Sequence, residues 1–110
     1  MHKQLRAGSH VAFMEKTKGS SCILELEGKI DDMSSDDVEW KMEELLSGEF
    51  KKIILDLSKV EYVSSAGIRV LIIAYKKSIK AGKKVIIEQM SGRVRAILET
   101  VGILSLFSAK

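Results

Sequence analysis

Between Lys51 and Lys80 the chain changes its hydrophobic period once, and this change limits the folds open to it. Lys51-Lys52-Ile53-Ile54-Leu55-Asp56-Leu57 is a β-branched run without alternation, the pattern of an interior strand buried on both faces. From Ile68 to Tyr75 the apolar residues recur at helical spacing instead, with Ile68, Leu71, Ile72, Tyr75 and Ile79 as the expected inward stripe and Arg69, Lys76 and Lys80 facing water. A second β-branched run, Lys84 to Gln89, follows the closing Ala81-Gly82. Strand, helix and strand in this order demand a parallel pair joined by a right-handed crossover. The change of period falls on Ser64-Ser65-Ala66-Gly67. Hydroxyls at the entrance of a helix cap its free N–H groups. A phosphate added there would meet the positive end of the helix dipole. The junction is therefore either a plain helix cap or a switch.

The remaining segments extend the same pattern. Val11 to Glu15 reads as a strand, Thr17 to Ser21 as a turn, and Cys22 to Glu27 as a second strand stopped by Gly28, so the sheet opens on an antiparallel pair. Asp31 to Asp37 is acidic and hydroxyl-rich, a helix start in which Ser34 and Asp37 resemble a capping box. Val38, Met42, Leu45 and Leu46 form one face of that helix. Trp40 stands roughly 200° around the wheel from Val38 at about 100° per residue, away from the stripe. It either packs at the helix edge or against the N-terminal arm, or it anchors a partner. Ser91 caps a last helix carrying Val94, Ile97, Leu98 and Val101, and Ile103 to Phe107 reads as a short strand or turn. The expected fold is α/β: one domain over residues 11–110, a mixed sheet with helices packed on it, in the order β-β-α-β-α-β-α with an optional final strand. Residues 1–10 read as a flexible arm or a cloning remnant.

Several chemistries are poorly supported. The only histidines, His2 and His10, lie in the first ten residues, away from any triad. There is no glycine-rich phosphate cradle of the nucleotide-binding kinds. Asp31, Asp32, Asp36 and Asp37 are explained by the helix dipole without a metal ion. A net charge of +3 with 5% aromatic residues does not make a nucleic-acid surface. Lysines 76, 77, 80, 83 and 84 read as a solvated face, or alternatively as a surface for an acidic partner. The single Cys22 lies in an apolar run and reads as a core residue of a protein in a reducing compartment. No apolar stretch reaches the roughly 20 residues of a membrane helix. The expectation is a soluble cytoplasmic interaction module: no enzyme, and no cofactor, metal, nucleic acid or membrane insertion.

The run Ile54-Leu55-Asp56-Leu57-Ser58-Lys59-Val60-Glu61-Tyr62-Val63-Ser64-Ser65-Ala66-Gly67-Ile68-Arg69-Val70-Leu71 resembles the signature of the STAS domain, and in particular the bacterial anti-sigma factor antagonists, or anti-anti-sigma factors. Gly28-Lys29-Ile30-Asp31 is similar to a second element of that family, and the spacing from Val94 to Val101 with its closing Gly-Ile fits as well. The resemblance spans Val11 to Phe107. It implies a partner switch. The unphosphorylated protein would bind an anti-sigma factor serine kinase and release a sigma factor; the kinase would inactivate it by phosphorylation, and a PPM-type phosphatase would restore it.

By position in the motif the phosphorylated residue is Ser65. Ser64 occupies the preceding place, where Asp is common in the family, and is a second candidate acceptor. Ala66 occupies the following place, where Ser or Thr is frequent. Asp31 matches an acid near the phosphorylation site. The partner-binding set implied by the resemblance is Asp31, Ser64, Ala66, Gly67, Ile68 and Arg69, with Gly67 admitting a partner's backbone. The resemblance also implies a monomer. The alternative from another class is a STAS subunit of a membrane transport system, acting as a binding module without phosphorylation.

Overall fold

The computed structural model describes residues 3–5 and 10–108. A short strand β1 (Lys3–Leu5) precedes β2 (Val11–Lys18), β3 (Ser21–Ile30), helix α1 (Ser35–Leu46), β4 (Lys52–Val63), α2 (Ser65–Lys80), β5 (Lys84–Met90), α3 (Gly92–Thr100) and a 3₁₀ turn at Leu104–Phe107. The sheet order follows the chain, β1-β2-β3-β4-β5. β2 and β3 form an antiparallel hairpin, and β3, β4 and β5 run parallel. From Val11 onward the element order is the expected one. Within the segment read as an arm, Lys3–Leu5 pairs antiparallel with β2, and positions 1, 2 and 6–9 lie outside the described residues.

Register places Phe13, Leu26, Leu24, Leu55 and Ile87 on one face of the sheet, together with Cys22, Ile53 and Val85. All of them join Val38, Met42, Leu45, Leu46, Val70, Leu71, Ala74, Val94 and Leu98 of the helices in one core. Ile54 is buried as well, so the unbroken run Ile53-Ile54-Leu55 is hidden on both sides, as its lack of alternation requires. Among the described residues no helix is long and apolar enough to cross a membrane.

Three expectations change. β3 does not stop at Gly28 but runs through it to Ile30 with the glycine at φ +117°, a conformation open to glycine, and the β3–β4 register slips on either side. β4 likewise does not end near Asp56; that carboxylate takes the Ser58 N–H and hydroxyl at 3.0 and 2.7 Å, a local turn absorbed as an irregularity within a twelve-residue strand. The inward face of α2 is Gly67, Val70, Leu71, Ala74 and Ser78; of the expected stripe Leu71 is buried, Ile68, Ile72 and Tyr75 pack half-buried against the core, and Ile79, 59% exposed, turns outward. Of the two forms open to the tail, strand or turn, it takes a 3₁₀ turn, which sets Phe107 edge-on against Tyr75 with ring centroids 5.9 Å apart.

Two lysines expected on a solvated face have work inside the molecule. Lys83 Nζ donates to the carbonyls of Leu46 and Gly48, both at 2.6 Å, and closes the C-terminus of α1. Lys77 pairs with Glu43 at 2.9 Å, which ties α2 to α1.

Candidate functional site

Parallel strands bring their carboxyl ends to one pole of the sheet, and the junction residues sit there. Ile30 pairs with Val63 at the last rung between β3 and β4. The Ser64 N–H then donates to the Ile30 carbonyl at 2.9 Å. The loop after β3, which begins at Asp31, therefore lies beside the entrance of α2.

Ser64 is the N-cap of α2, with extended backbone (φ −83°, ψ 178°); its Oγ accepts the Gly67 N–H at 3.3 Å, and its carbonyl starts the helix by accepting the Ile68 N–H at 2.8 Å. Ser65 is the first helical residue. It is exposed, and its hydroxyl has no hydrogen-bond partner among the described residues. Ala66 and Ile68 are half-buried, and Arg69 is exposed. Gly67 is buried, and a β-carbon there would stand 2.3 Å from the Ile30 carbonyl oxygen and 2.9 Å from side-chain carbons of Ile30 and Val63. The expectation that Gly67 admits a partner's backbone is thus corrected: the space beside it holds the chain's own strand.

Asp31 is more tightly held than its sequence neighbourhood indicates. His10 Nδ1 donates to its Oδ2 at 2.6 Å, and the Met33 N–H to its Oδ1 at 3.0 Å. Ser34 does not cap α1 with its side chain; its buried Oγ accepts the Asp31 N–H at 3.0 Å and donates to the Lys29 carbonyl at 2.7 Å, bracing the loop instead. Burial pulls the Asp31 carboxyl upward, but the His10 and Met33 hydrogen bonds, the His10 charge and the Ser34 hydroxyl outweigh it and hold the pKa below its ordinary value. His10 reaches this loop because Gly28 lets the strands close up. The Lys29 N–H donates to the His10 carbonyl at 2.8 Å, and a β-carbon on Gly28 would stand 2.1 Å from that oxygen.

Sequence reasoning missed His10, whose partner lies 21 residues away and leaves no local signal. It also missed Lys41, a buried cation held by Glu15 of β2 and by Glu44 at 2.9 Å, although its place three residues after Val38 on the inward stripe was a signal. Burial disfavours charge on Lys41, and the two carboxylates outweigh it, so its pKa is raised. Trp40 faces away from the core, 52% exposed, with the Lys41 Nζ 5.8 Å from its ring centroid. Nearer the junction, Tyr62 is paired in register with Lys29 and lies under the Arg93 guanidinium at 5.8 Å. Among the described residues no three His, Cys, Asp or Glu side chains converge as a metal ion would need.

The chain is a small α/β domain that presents an exposed hydroxyl at a helix entrance, beside the carboxyl ends of its parallel strands. The model of the STAS domain matches residues 12–110, and the chain belongs to that family. It is 27% identical over 94 residues to BtrV of Bordetella bronchiseptica, classed as an anti-sigma factor antagonist, covering 86% of this chain and 80% of that one. Its fold is similar to that of an anti-sigma factor antagonist from Mycobacterium paratuberculosis (TM-score 0.79, 19% identity, 94% and 87% of the two chains). The anti-sigma factor antagonist SpoIIAA is similar in its unphosphorylated form (TM-score 0.74, 16% identity, 86% and 84%) and in its phosphorylated form (TM-score 0.66, 15% identity, 83% and 84%). A sulfate transporter family protein from Wolinella succinogenes shares the fold too (TM-score 0.73, 17% identity, 84% and 75%).

Proposed function

We propose that this protein is an anti-sigma factor antagonist switched by phosphorylation of Ser65. Unmodified, it binds an anti-sigma factor serine kinase in the cytoplasm as a monomer and frees a sigma factor. Phosphorylation by that kinase ends the interaction, and a PPM-type phosphatase restores it. The observation that carries this reading is the division of labour between the two serines. Ser64 has its hydroxyl committed to the Gly67 N–H, whereas the Ser65 hydroxyl is exposed and uncommitted. Asp31, Ser64, Ala66, Ile68 and Arg69 form the surrounding contact surface, and Gly67 contributes by seating α2 against Ile30.

The charge change suffices for a switch. A phosphate brings about −1.5 to −2 charges, which the amino end of α2 accommodates within the domain. A complex that covers Ser65 must instead bury that charge, and a cost of about 3 kcal/mol weakens binding over a hundredfold. The test is to isolate the protein from the cells that make it and map its phosphate by mass spectrometry. Wild type and S64A are expected to carry phosphate on Ser65, and S65A to carry none; the S65A protein retains a nucleotide-binding serine kinase that S65D releases. Phosphate on Ser64 alone would refute the assignment. A protein with no phosphate that co-purifies with membrane transport components would favour the transport-subunit reading.

A further inference from the structure

We infer that Arg69 is the positioning residue for a phosphate on Ser65, its guanidinium closing on the phosphate from one helical turn away and holding it over the amino end of α2. The inference rests on the reading of Ser65 as the modified residue. Ser65 and Arg69 stand at i and i+4 on α2, so they share a face. Side chains on a helix lean toward its amino end, so Arg69 covers the turn that Ser65 opens. Both residues are exposed, and among the described residues the Arg69 guanidinium has no hydrogen bond or ion pair to give up. The first turn of α2 contains no acidic residue that would compete for it. A phosphoserine offers three acceptor oxygens to a planar fork of N–H donors, the geometry in which arginine binds in bidentate fashion.

Ser64 does not meet these conditions. Its hydroxyl is already taken by the Gly67 N–H, and the side chain four residues on is Ile68, which packs against the core. A phosphate there would break the cap and meet an aliphatic chain. The pairing thus makes Ser65 the acceptor whose product the fold can hold. It also gives the modification two effects at one spot: a dianion appears, and an exposed cation is withdrawn. A partner that reads Arg69 in the unmodified protein loses that contact when Ser65 is phosphorylated.

The test is made on the full chain with phosphoserine placed at position 65 during translation, alone and combined with R69Q or R69K. Phosphorus NMR titration is expected to show the second ionisation of the phosphate about threefold more acidic with Arg69 than with R69Q at low salt. The difference is expected to shrink at about 1 M salt, where screening acts over a few ångströms. R69K keeps part of the effect, since lysine supplies charge without the fork. In thermal melts the R69Q chain loses more stability in its phosphorylated than in its unmodified form. Equal titration of the wild-type and R69Q phosphoproteins, with equal melts, overturns the proposal. No kinase is involved, so the outcomes separate cleanly. A Ser65 that carries no phosphate in cells defeats the functional reading alone, and equal titration defeats the role of Arg69 alone.

Discussion

Replacing Gly67 by alanine tests the frame on which the site is built, because two general effects pull its sign in opposite directions. Within an exposed helix the change stabilises by about 1 kcal/mol, since alanine is the better helix former. At Gly67 the added carbon would meet the Ile30 carbonyl oxygen at 2.3 Å, where a relaxed carbon–oxygen contact needs about 3.3 Å. The start of α2 must then retreat by about 1 Å from the end of β3 or push Ile30 aside. Overpacking of this kind costs about 1–3 kcal/mol. The retreat also stretches the 2.9 Å hydrogen bond from the Ser64 N–H to the same carbonyl, a loss of about 1 kcal/mol. The clash is with backbone and has no flexible side chain to absorb it, so the upper part of the range applies. The net expectation is a destabilisation of about 3 kcal/mol, a drop in melting temperature on the order of 10 °C or more for a domain of this size. Gly92 is the internal control: it opens α3, and a β-carbon there has no heavy atom within 4 Å. G92A should stabilise the protein by about 0.5 kcal/mol, chiefly by restricting the unfolded chain. Urea unfolding followed by far-ultraviolet circular dichroism reads both variants on one scale. A G67A midpoint equal to or above wild type would refute the account of how α2 is seated, and so would equal shifts for the two alanines.

Three further outcomes are expected. Lys41→Ala should destabilise by about 1–2 kcal/mol, mostly from lost packing of its stem, because Glu15 and Glu44 can rehydrate once unpaired; Lys41→Met should recover most of this in the same urea titration. Asp31 has a depressed pKa in the folded protein, so the unfolded chain binds the extra proton: the stabilisation is present above the ordinary carboxyl value of 3.8 and lost as pH falls through the lower folded value. Wild type should therefore lose more stability than D31N in melts taken from pH 5 down to pH 3, and parallel losses would contradict the role given to His10. The Cys22 thiol is fully buried, and burial together with the charge of Glu15 raises its pKa to about 11, so at pH 8 it should resist a disulfide reagent until urea unfolds the chain.

The backbone plan was legible because local chemistry and periodicity agree at α2 and α3. Ser64 and Ser91 cap those helices as expected, with Oγ accepting the N–H three residues on at 3.3 and 3.2 Å. What escaped was set by contacts distant in the chain. Asp56 and Ser58 carry turn chemistry, yet Asp56 pairs with Glu25 of β3 and Gln89 of β5, and pairing with β3 resumes at Lys59, so the strand runs on through them. The stripe on α2 was drawn too far to one side because hydrophobic size alone was weighed: Leu71 is buried as expected, but the small Gly67, Ala74 and Ser78 are buried too, and Ile79 is exposed. The motif pointed to Ser65 by position and left Ser64 as a second candidate, but it carried no sign of what either hydroxyl touches. The Gly67 N–H donates to the Ser64 hydroxyl and leaves that of Ser65 exposed.

The two-residue turn at Gly19-Ser20 joins β2 to β3 at the amino end of β3, and Gly82 precedes the amino end of β5. Register aligns Ser21, Lys52 and Lys84 across that end of the sheet, a full strand length from Ile30 and Val63. Gly19 and Gly82 have open space around them but hold φ of +61° and +70°, which suits glycine, so an attachment belongs on the exposed Ser20. The domain thus has a working end and a handle. A fluorophore, a surface tether or an inserted peptide carried on the Gly19-Ser20 turn points away from the serines, and the switch can be watched in a complex without being obstructed by the probe.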